Sequence, residues 1–301
     1  MEPIKDFKTL AERARQKGPV WIAVVAPYDL ETMLAVKEGL LSGLARPHLF
    51  GDAKRIEPLI DESGINRDEI RIYDETDVPK MLDAAVESIR TGQNVLLMKG
   101  SISTPVILKT VLDKTKGLNI GRLCSHVVVC EIPDFDRMLV ISDGGLNVAP
   151  TLLEKVDIVK NAIQVAHALN IEIPKVAILA AIEEVNPSIP ATTDAASLSK
   201  MAERGEIKGA IVDGPLALDN AISMRSAEKK GIKSEVAGKA DVIIVPTIEV
   251  GNALGKSLSY FAKSSNAGIV VGAKVPIVLP SRSGKTEAKW GSLALGVLLI
   301  S

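Results

Sequence analysis

Cysteine and aromatic residues are scarce in this sequence. Only Cys124 and Cys130 occur in 301 residues. They stand six apart in CSHVVVC, a run that reads as a strand, so they share a strand face and are too far apart to bridge. There is no CxxC pattern and the three histidines are scattered, so no metal site is expected. Aromatics make up 3% of the chain, little material for surfaces that stack bases. An excess of either charge is also missing. Lys and Arg total 36 against 37 Asp and Glu, a net charge of −1, which leaves no electrostatic footprint for nucleic acid. No apolar run reaches the length of a membrane span, and MEPIKDFKTL lacks the apolar centre of a secretion signal. The expectation is a cytoplasmic, reduced protein with neither nucleic acid nor membrane as partner.

Short apolar runs alternate with helical patterns. Hydrophobic residues make up 47% and charged residues 24%, a globular profile in which Val, Ile, Leu and Ala must build the core. The runs are Val20–Ala26, Pro47–Phe50, Ile70–Tyr73, Asn94–Met98, Leu123–Cys130, Met138–Ile141, Val176–Ala181, Gly209–Val212, Val242–Val245, Ile269–Val271 and Pro276–Leu279. Between them lie amphipathic segments. In one, Leu152, Val156, Val159, Ile163 and Ala166 recur at helical spacing, and Thr151 with Glu154 fits a capping box. Repeated βα units predict a mainly parallel sheet covered by helices. So many strands fit two α/β domains better than one. The stretch Cys124–Ile141 reads differently, as strand, polar turn EIPDFDR and strand, a hairpin where chain direction changes.

In open α/β sheets, ligands bind beyond the carboxyl ends of the strands. Four such ends are rich in Gly, Ser, Asn and charge: MKGSIST at Met98–Thr104, SDGGLN at Ser142–Asn147, VPTIEVGN at Val245–Asn252, and PSRSGKTE at Pro280–Glu287. Each precedes a helical segment, where free N–H groups favour anions. They read either as sites for a phosphate-rich ligand or as ordinary βα loops. Arg282 beside Ser281 is the sharpest feature, because a guanidinium makes a planar fork to phosphate. Neither Gly284-Lys285-Thr286 nor Gly255-Lys256-Ser257 completes a Walker phosphate loop, and no GxGxxG or GxSxG is present. His126 and His167 read as packed or edge residues, and the cysteines as small core residues. Asp213 and Gly214 read as a βα turn.

The stretches SDGGLNVAPTLLEKVDIVKNAIQVAHAL, IVDGPLALDNAIS, VAGKADVIIVPTIEVGNALGKSLSYFA and GIVVGAKVPIVLPSRSGKTEAK resemble the phosphate acetyl- and butyryltransferases. LLMKGSISTPVILKTVL and GLNIGRLCSHVVV agree more weakly. The wording DGPLALDNA and GAKVPIVL looks closer to the butyryl branch. The resemblance implies two α/β domains with a cleft between them, as in isocitrate and isopropylmalate dehydrogenases. The expected domains are 1–138 with 285–301, the final helix returning to the first domain, and 139–284. It implies transfer of a short acyl group, butyryl or branched and possibly acetyl, between coenzyme A and inorganic phosphate. The coenzyme A thiolate attacks the acyl phosphate directly. Coenzyme A is a substrate, no cofactor or metal is tightly bound, and the partners are the thioester, phosphate, the acyl phosphate and further copies in a homodimer or higher homo-oligomer.

That chemistry needs a base for the thiol, a cation for the departing phosphate and a donor to the reacting oxygens. Ser281 and Arg282 match the family's Ser-Arg pair. The acetyl branch carries its catalytic aspartate seven residues after the serine, where this chain has Ala288. Glu287 is the nearest carboxylate and the candidate base; its other reading is a negative charge suited to the first turn of the last helix. Asn147 and Asn252 match family positions lining the cleft, Glu249 lies in the same loop, and Lys99 and Ser101 match the first-domain loop facing the cleft; these five are the candidate substrate-binding residues. Asn252 and Gly251 also read as a helix cap. Two other readings are an oxidoreductase of the same fold acting on a phosphorylated hydroxy compound, and an acyl phosphate sensor that has lost its base.

Overall fold

The structure is a computed structural model that describes residues 2–279 and 286–300, the side chains of Thr286 and Glu287 excepted. The chain forms two compact units, Phe7–Arg122 with Ala267–Ser301 and Met1–Asp6 with Leu123–Asn266. They are named for their place along the chain, the outer unit flanking the main segment of the inner one in sequence. Both are mixed α/β, and the eleven apolar runs of the sequence all contain a strand.

In the outer unit β1 (Val20–Val25), β2 (Ala45–Gly51), β3 (Arg71–Asp74), β4 (Leu96–Lys99), β10 (Ser265–Val271, from Ala267 on) and β11 (Ile277–Val278) lie in the order β3-β2-β1-β4-β11-β10. All neighbours are parallel except β10 and β11. Its helices are α1 (Phe7–Arg15), α2 (Leu30–Leu41), α3 (Ala53–Ser63), α4 (Val78–Arg90), α5 (Thr104–Val111) and α11 (Thr286–Leu298). Ile22–Val25 and Leu96–Met98 are fully buried, as expected of parallel strands covered on both faces. The last helix, α11, packs on α1 and α2 of this unit, with Leu293, Ala294, Leu295 and Val297 buried. Gly39 lets α2 come close, since a Cβ there would lie 2.6 Å from Leu293 Cδ2.

The inner unit holds β5 (Ser125–Glu131), β6 (Leu139–Ser142), β7 (Lys175–Leu179), β8 (Ile211–Leu216) and β9 (Val242–Ile244), in the order β5-β6-β9-β7-β8. Its helices are α6 (Leu152–Ala168), α7 (Pro190–Glu203), α8 (Leu218–Ile222), α9 (Met224–Lys229) and α10 (Ile248–Tyr260). Neighbouring strands are parallel except β5 and β6, the hairpin expected around EIPDFDR, which runs antiparallel with Cys130 opposite Leu139. Thr151 and Glu154 form the predicted capping box at the start of α6, and Val159, Ile163 and Ala166 on its inward face are buried. Asp213 and Gly214 depart from the expected turn: they lie inside β8, where its register against β7 shifts between Ala177 and Leu179. β8 is the last strand of this order, where Pro215 removes no ladder bond that a central strand would need. Both cysteines are buried, and burial pushes the Cys130 thiol up to about 12, so it is inert in the fold.

Candidate active site

Parallel strands bring their carboxyl ends to one edge. In the outer unit that edge carries the loop after β1, the loop after β4 and the end of β11. β11 runs parallel to β4 with Val278 opposite Met98. Lys99, the last residue of β4, is buried, and its ammonium donates to the carbonyls of Gly100 and Ile102, both at 3.1 Å, bracing the loop that follows it. Gly100 must be glycine, since a Cβ there would stand 2.3 Å from the Ala26 carbonyl oxygen at the end of β1. The next residue, Ser101, is exposed, donates its N–H to the same carbonyl at 2.6 Å, and points its hydroxyl at Asp29 Oδ2, 2.7 Å away.

Asp29 is the N-cap of α2 and the centre of this edge. It accepts the N–H of Thr32 at 2.8 Å, the Thr32 hydroxyl at 2.9 Å, and the Lys289 ammonium at 3.0 Å. Lys289 is buried on α11. Burial pushes the Asp29 carboxyl up, but hydrogen bonds from Ser101, Thr32 and Lys289 outweigh it and bring the group down to about 2.

In the inner unit the corresponding edge is organised by Asp143, which follows β6 and is buried. Its Oδ1 accepts the N–H groups of Gly145 and Leu146 at 2.8 and 2.9 Å. Its Oδ2 accepts the N–H of His126 at 3.0 Å, the N–H of Asn147 at 3.3 Å and the Asn147 side-chain amide at 2.6 Å. The same Asn147 amide donates to the Cys124 carbonyl at 2.9 Å. Asn147 thus ties the loop to the start of β5 and leaves its Oδ1 for other partners. Gly144 and Gly251 pack backbone to backbone, and a Cβ at 251 would lie 2.7 Å from Gly144 Cα. Asn252, exposed on α10, donates to the Gly144 carbonyl at 3.4 Å. Glu249 is exposed in the first turn of α10. Hydrogen bonds to the Thr247 side chain and to its own N–H hold its carboxyl below the usual range. The His126 ring lies against Gly145 with Nδ1 buried and unpartnered among the described residues. Burial drives this imidazole pKa down while the Asp143 charge pulls it up, and the balance is downward.

Of the residues chosen from sequence, the structure brings Lys99 and Ser101 together in the outer unit, and Asn147, Glu249 and Asn252 around the Gly144–Gly251 contact in the inner unit. Ser281 and Arg282 lie outside the described residues, and so does the side chain of Glu287, whose backbone belongs to α11. Sequence reasoning did not select Asp29, Lys289, Asp143 or a role for His126. One of these carries a local signal: Asp29 stands three residues before Thr32 at a helix start. Among the described residues, no three His, Cys, Asp or Glu gather to hold a metal ion, and no helix is long and apolar enough to cross a membrane.

A family model described as phosphate acetyl/butaryl transferase matches residues 80–297. A phosphate butyryltransferase from Clostridium acetobutylicum is 43% identical over 98% of this chain and 98% of its own. A phosphate acetyltransferase from Thermotoga maritima is also 43% identical, over 97% of this chain and 99% of its own. The crystal structure of a branched-chain phosphotransacylase from Enterococcus faecalis is 32% identical and superposes with a TM-score of 0.82, covering 93% of this chain and 99% of its own.

Proposed function

Because the chain belongs to the phosphate acetyl/butaryl transferase family, we propose that it is an acyltransferase that moves a short acyl group between coenzyme A and inorganic phosphate. The observation that carries this is similarity along nearly the whole chain to a phosphate butyryltransferase, at 43% identity. Coenzyme A enters as a substrate, with no tightly bound cofactor. Identity to an acetyl and to a butyryl relative is the same, so the preference for butyryl or a branched acyl group rests on the DGPLALDNA and GAKVPIVL wording.

In the proposed reaction the coenzyme A thiolate attacks the carbonyl carbon of the acyl phosphate. The C–S bond forms, the C–O bond to phosphate breaks, and phosphate departs with the electron pair. Arg282 holds the phosphate and Ser281 donates to a reacting oxygen. Support comes from the residues on both sides of that pair: β11 ends beside the strand of Lys99, and α11 carries Lys289 on Asp29. Glu287 takes the thiol proton. Lys99, Ser101, Asn147, Glu249 and Asn252 bind substrate from the edges of two domains, with the site in the cleft between them. The organisation expected for the family, a final helix returning to the first domain and a homodimer or higher homo-oligomer in the cytoplasm, belongs to the same proposal.

The experiment is release of free coenzyme A from butyryl-coenzyme A by the purified chain, with and without phosphate. Release only with phosphate is expected, and equal release in its absence would mean a hydrolase. Glu287→Gln, assayed with free coenzyme A and butyryl phosphate, then tests the base. Turnover should fall at pH 7 and recover as the pH approaches the thiol pKa of about 8.5, whereas a small loss uniform across pH would assign Glu287 to the helix dipole alone.

A further inference from the structure

Asp29 sets the polarity of the exposed side chain beside it. Its Oδ1 accepts the Thr32 N–H and the Lys289 ammonium, and its Oδ2 accepts the hydroxyls of Thr32 and Ser101. The Lys289 ammonium also lies 3.4 Å from Thr32 Oγ1. Thr32 therefore accepts from Lys289 on its lone pair and donates its own hydroxyl to Asp29. A buried ammonium and three further donors leave Asp29 an anion, in keeping with a carboxyl held at about 2. An ionised carboxylate only accepts. The single hydroxyl proton of Ser101 is therefore committed to Asp29, and the exposed face of Ser101 offers lone pairs alone. The backbone cannot easily turn the residue elsewhere. Ser101 and Gly100 donate their N–H groups to Ala26 and Val25, and no Cβ fits at residue 100.

Phosphate and the phosphoryl end of an acyl phosphate present mainly acceptors, which a lone-pair surface repels. Coenzyme A presents amide N–H and hydroxyl donors along its arm and an S–H at its end. We infer that Ser101 contacts the coenzyme A side of the reaction, as acceptor from an N–H or O–H of its arm, and that Asp29 is the positioning residue that imposes this polarity. The inference rests on the acyltransferase reading above and names which substrate meets Ser101.

Steady-state kinetics of the full chain test it, with butyryl-coenzyme A and phosphate varied separately at about pH 8, where phosphate retains few protons. Ser101→Ala should raise KM for butyryl-coenzyme A about threefold to tenfold, one hydrogen bond's worth, and leave KM for phosphate within about twofold. Asp29→Asn puts an amide donor opposite Ser101, turns its proton outward and should raise the same KM. The double variant should be no worse in that KM than Ser101→Ala, a result that a merely structural role for Asp29 would not give. Assays in the opposite direction, with butyryl phosphate and free coenzyme A, should show the same rise in KM for coenzyme A, because the arm is common to both forms. A rise in KM for phosphate alone, an equal rise in both KM values or no change in either would overturn the inference. If Asp29→Asn does not fold, Ser101→Ala decides by itself. A wild-type chain with no phosphate-dependent release would refute the acyltransferase reading, whereas normal wild-type turnover with unmoved KM values would refute this inference only.

Discussion

The two units place polar residues at the carboxyl edges of their sheets by different physical means. The outer edge is ionic. A half-buried carboxylate, Asp29, is paired with a buried ammonium, Lys289, and a second buried lysine braces the loop after β4. The inner edge is built from backbone. One buried carboxylate, Asp143, takes four main-chain N–H groups and one side-chain amide, and two glycines let the loop after β6 lie against the first turn of α10. An ion pair responds to pH and to the loss of one charge, and it sets the polarity of its neighbours. A carboxylate nest responds mainly to geometry, because its donors are part of the chain.

The largest expected effect is at Arg282, which lies outside the described residues. Arg282→Ala should lower kcat/KM by about a hundredfold or more, since one charged contact to the transition state contributes about 3 kcal/mol. Lys at the same position should restore only part, lacking the fork. Near-normal kinetics of Arg282→Ala would remove Arg282 from the chemistry.

The next effect distinguishes the two edges by stability. Asp143→Ala strands several buried N–H groups at once and should cost on the order of 3 kcal/mol or more in urea unfolding. Adding a methyl at Gly251 tests the same loop by geometry. A Cβ 2.7 Å from the Asp143 carbonyl oxygen and from Gly144 Cα must push backbone aside, at about 1–3 kcal/mol. Unchanged midpoints for both variants would mean that this loop is not held as described.

A smaller effect should appear at the ionic edge, with a pH signature. The Asp29 carboxyl is lowered from 3.8 to about 2. Its charge therefore stabilises the fold above about pH 4, and this contribution is lost as pH falls toward 2, with an upper bound on the order of 2 kcal/mol. The stability gap between wild type and Asp29→Asn should be constant from pH 7 to about pH 4 and narrow below it. A gap that widens on acidification would contradict the ion pair. The smallest effect is at Cys130. Its thiol, pushed up to about 12 in the core, should not react with a thiol reagent until the inner unit unfolds.

Much of the fold was legible because strand and helix signals are local. The runs of Val, Ile and Leu read as strands, the hairpin read from one polar turn, and the Thr151–Glu154 box read from a spacing of three. The candidate loops read from Gly, Ser and Asn at strand ends. Asp213 and Gly214 misled because Gly-Pro marks turns in most settings, and only an irregular outer strand tolerates it. Asp143 sat unremarked inside a loop already marked, since a carboxylate with five donors looks in sequence like any loop aspartate.

By itself the sequence determined the alternation of elements and the family through its ordered motifs. Tertiary structure alone decided which strands are neighbours, such as β11 between β4 and β10. It also decided that Asp29 meets Lys289 across 260 residues of chain. The physical reason is range: hydrogen-bonded turns, caps and strand periods are settled within a few residues. A buried charge has no preferred partner until packing excludes water and leaves it one.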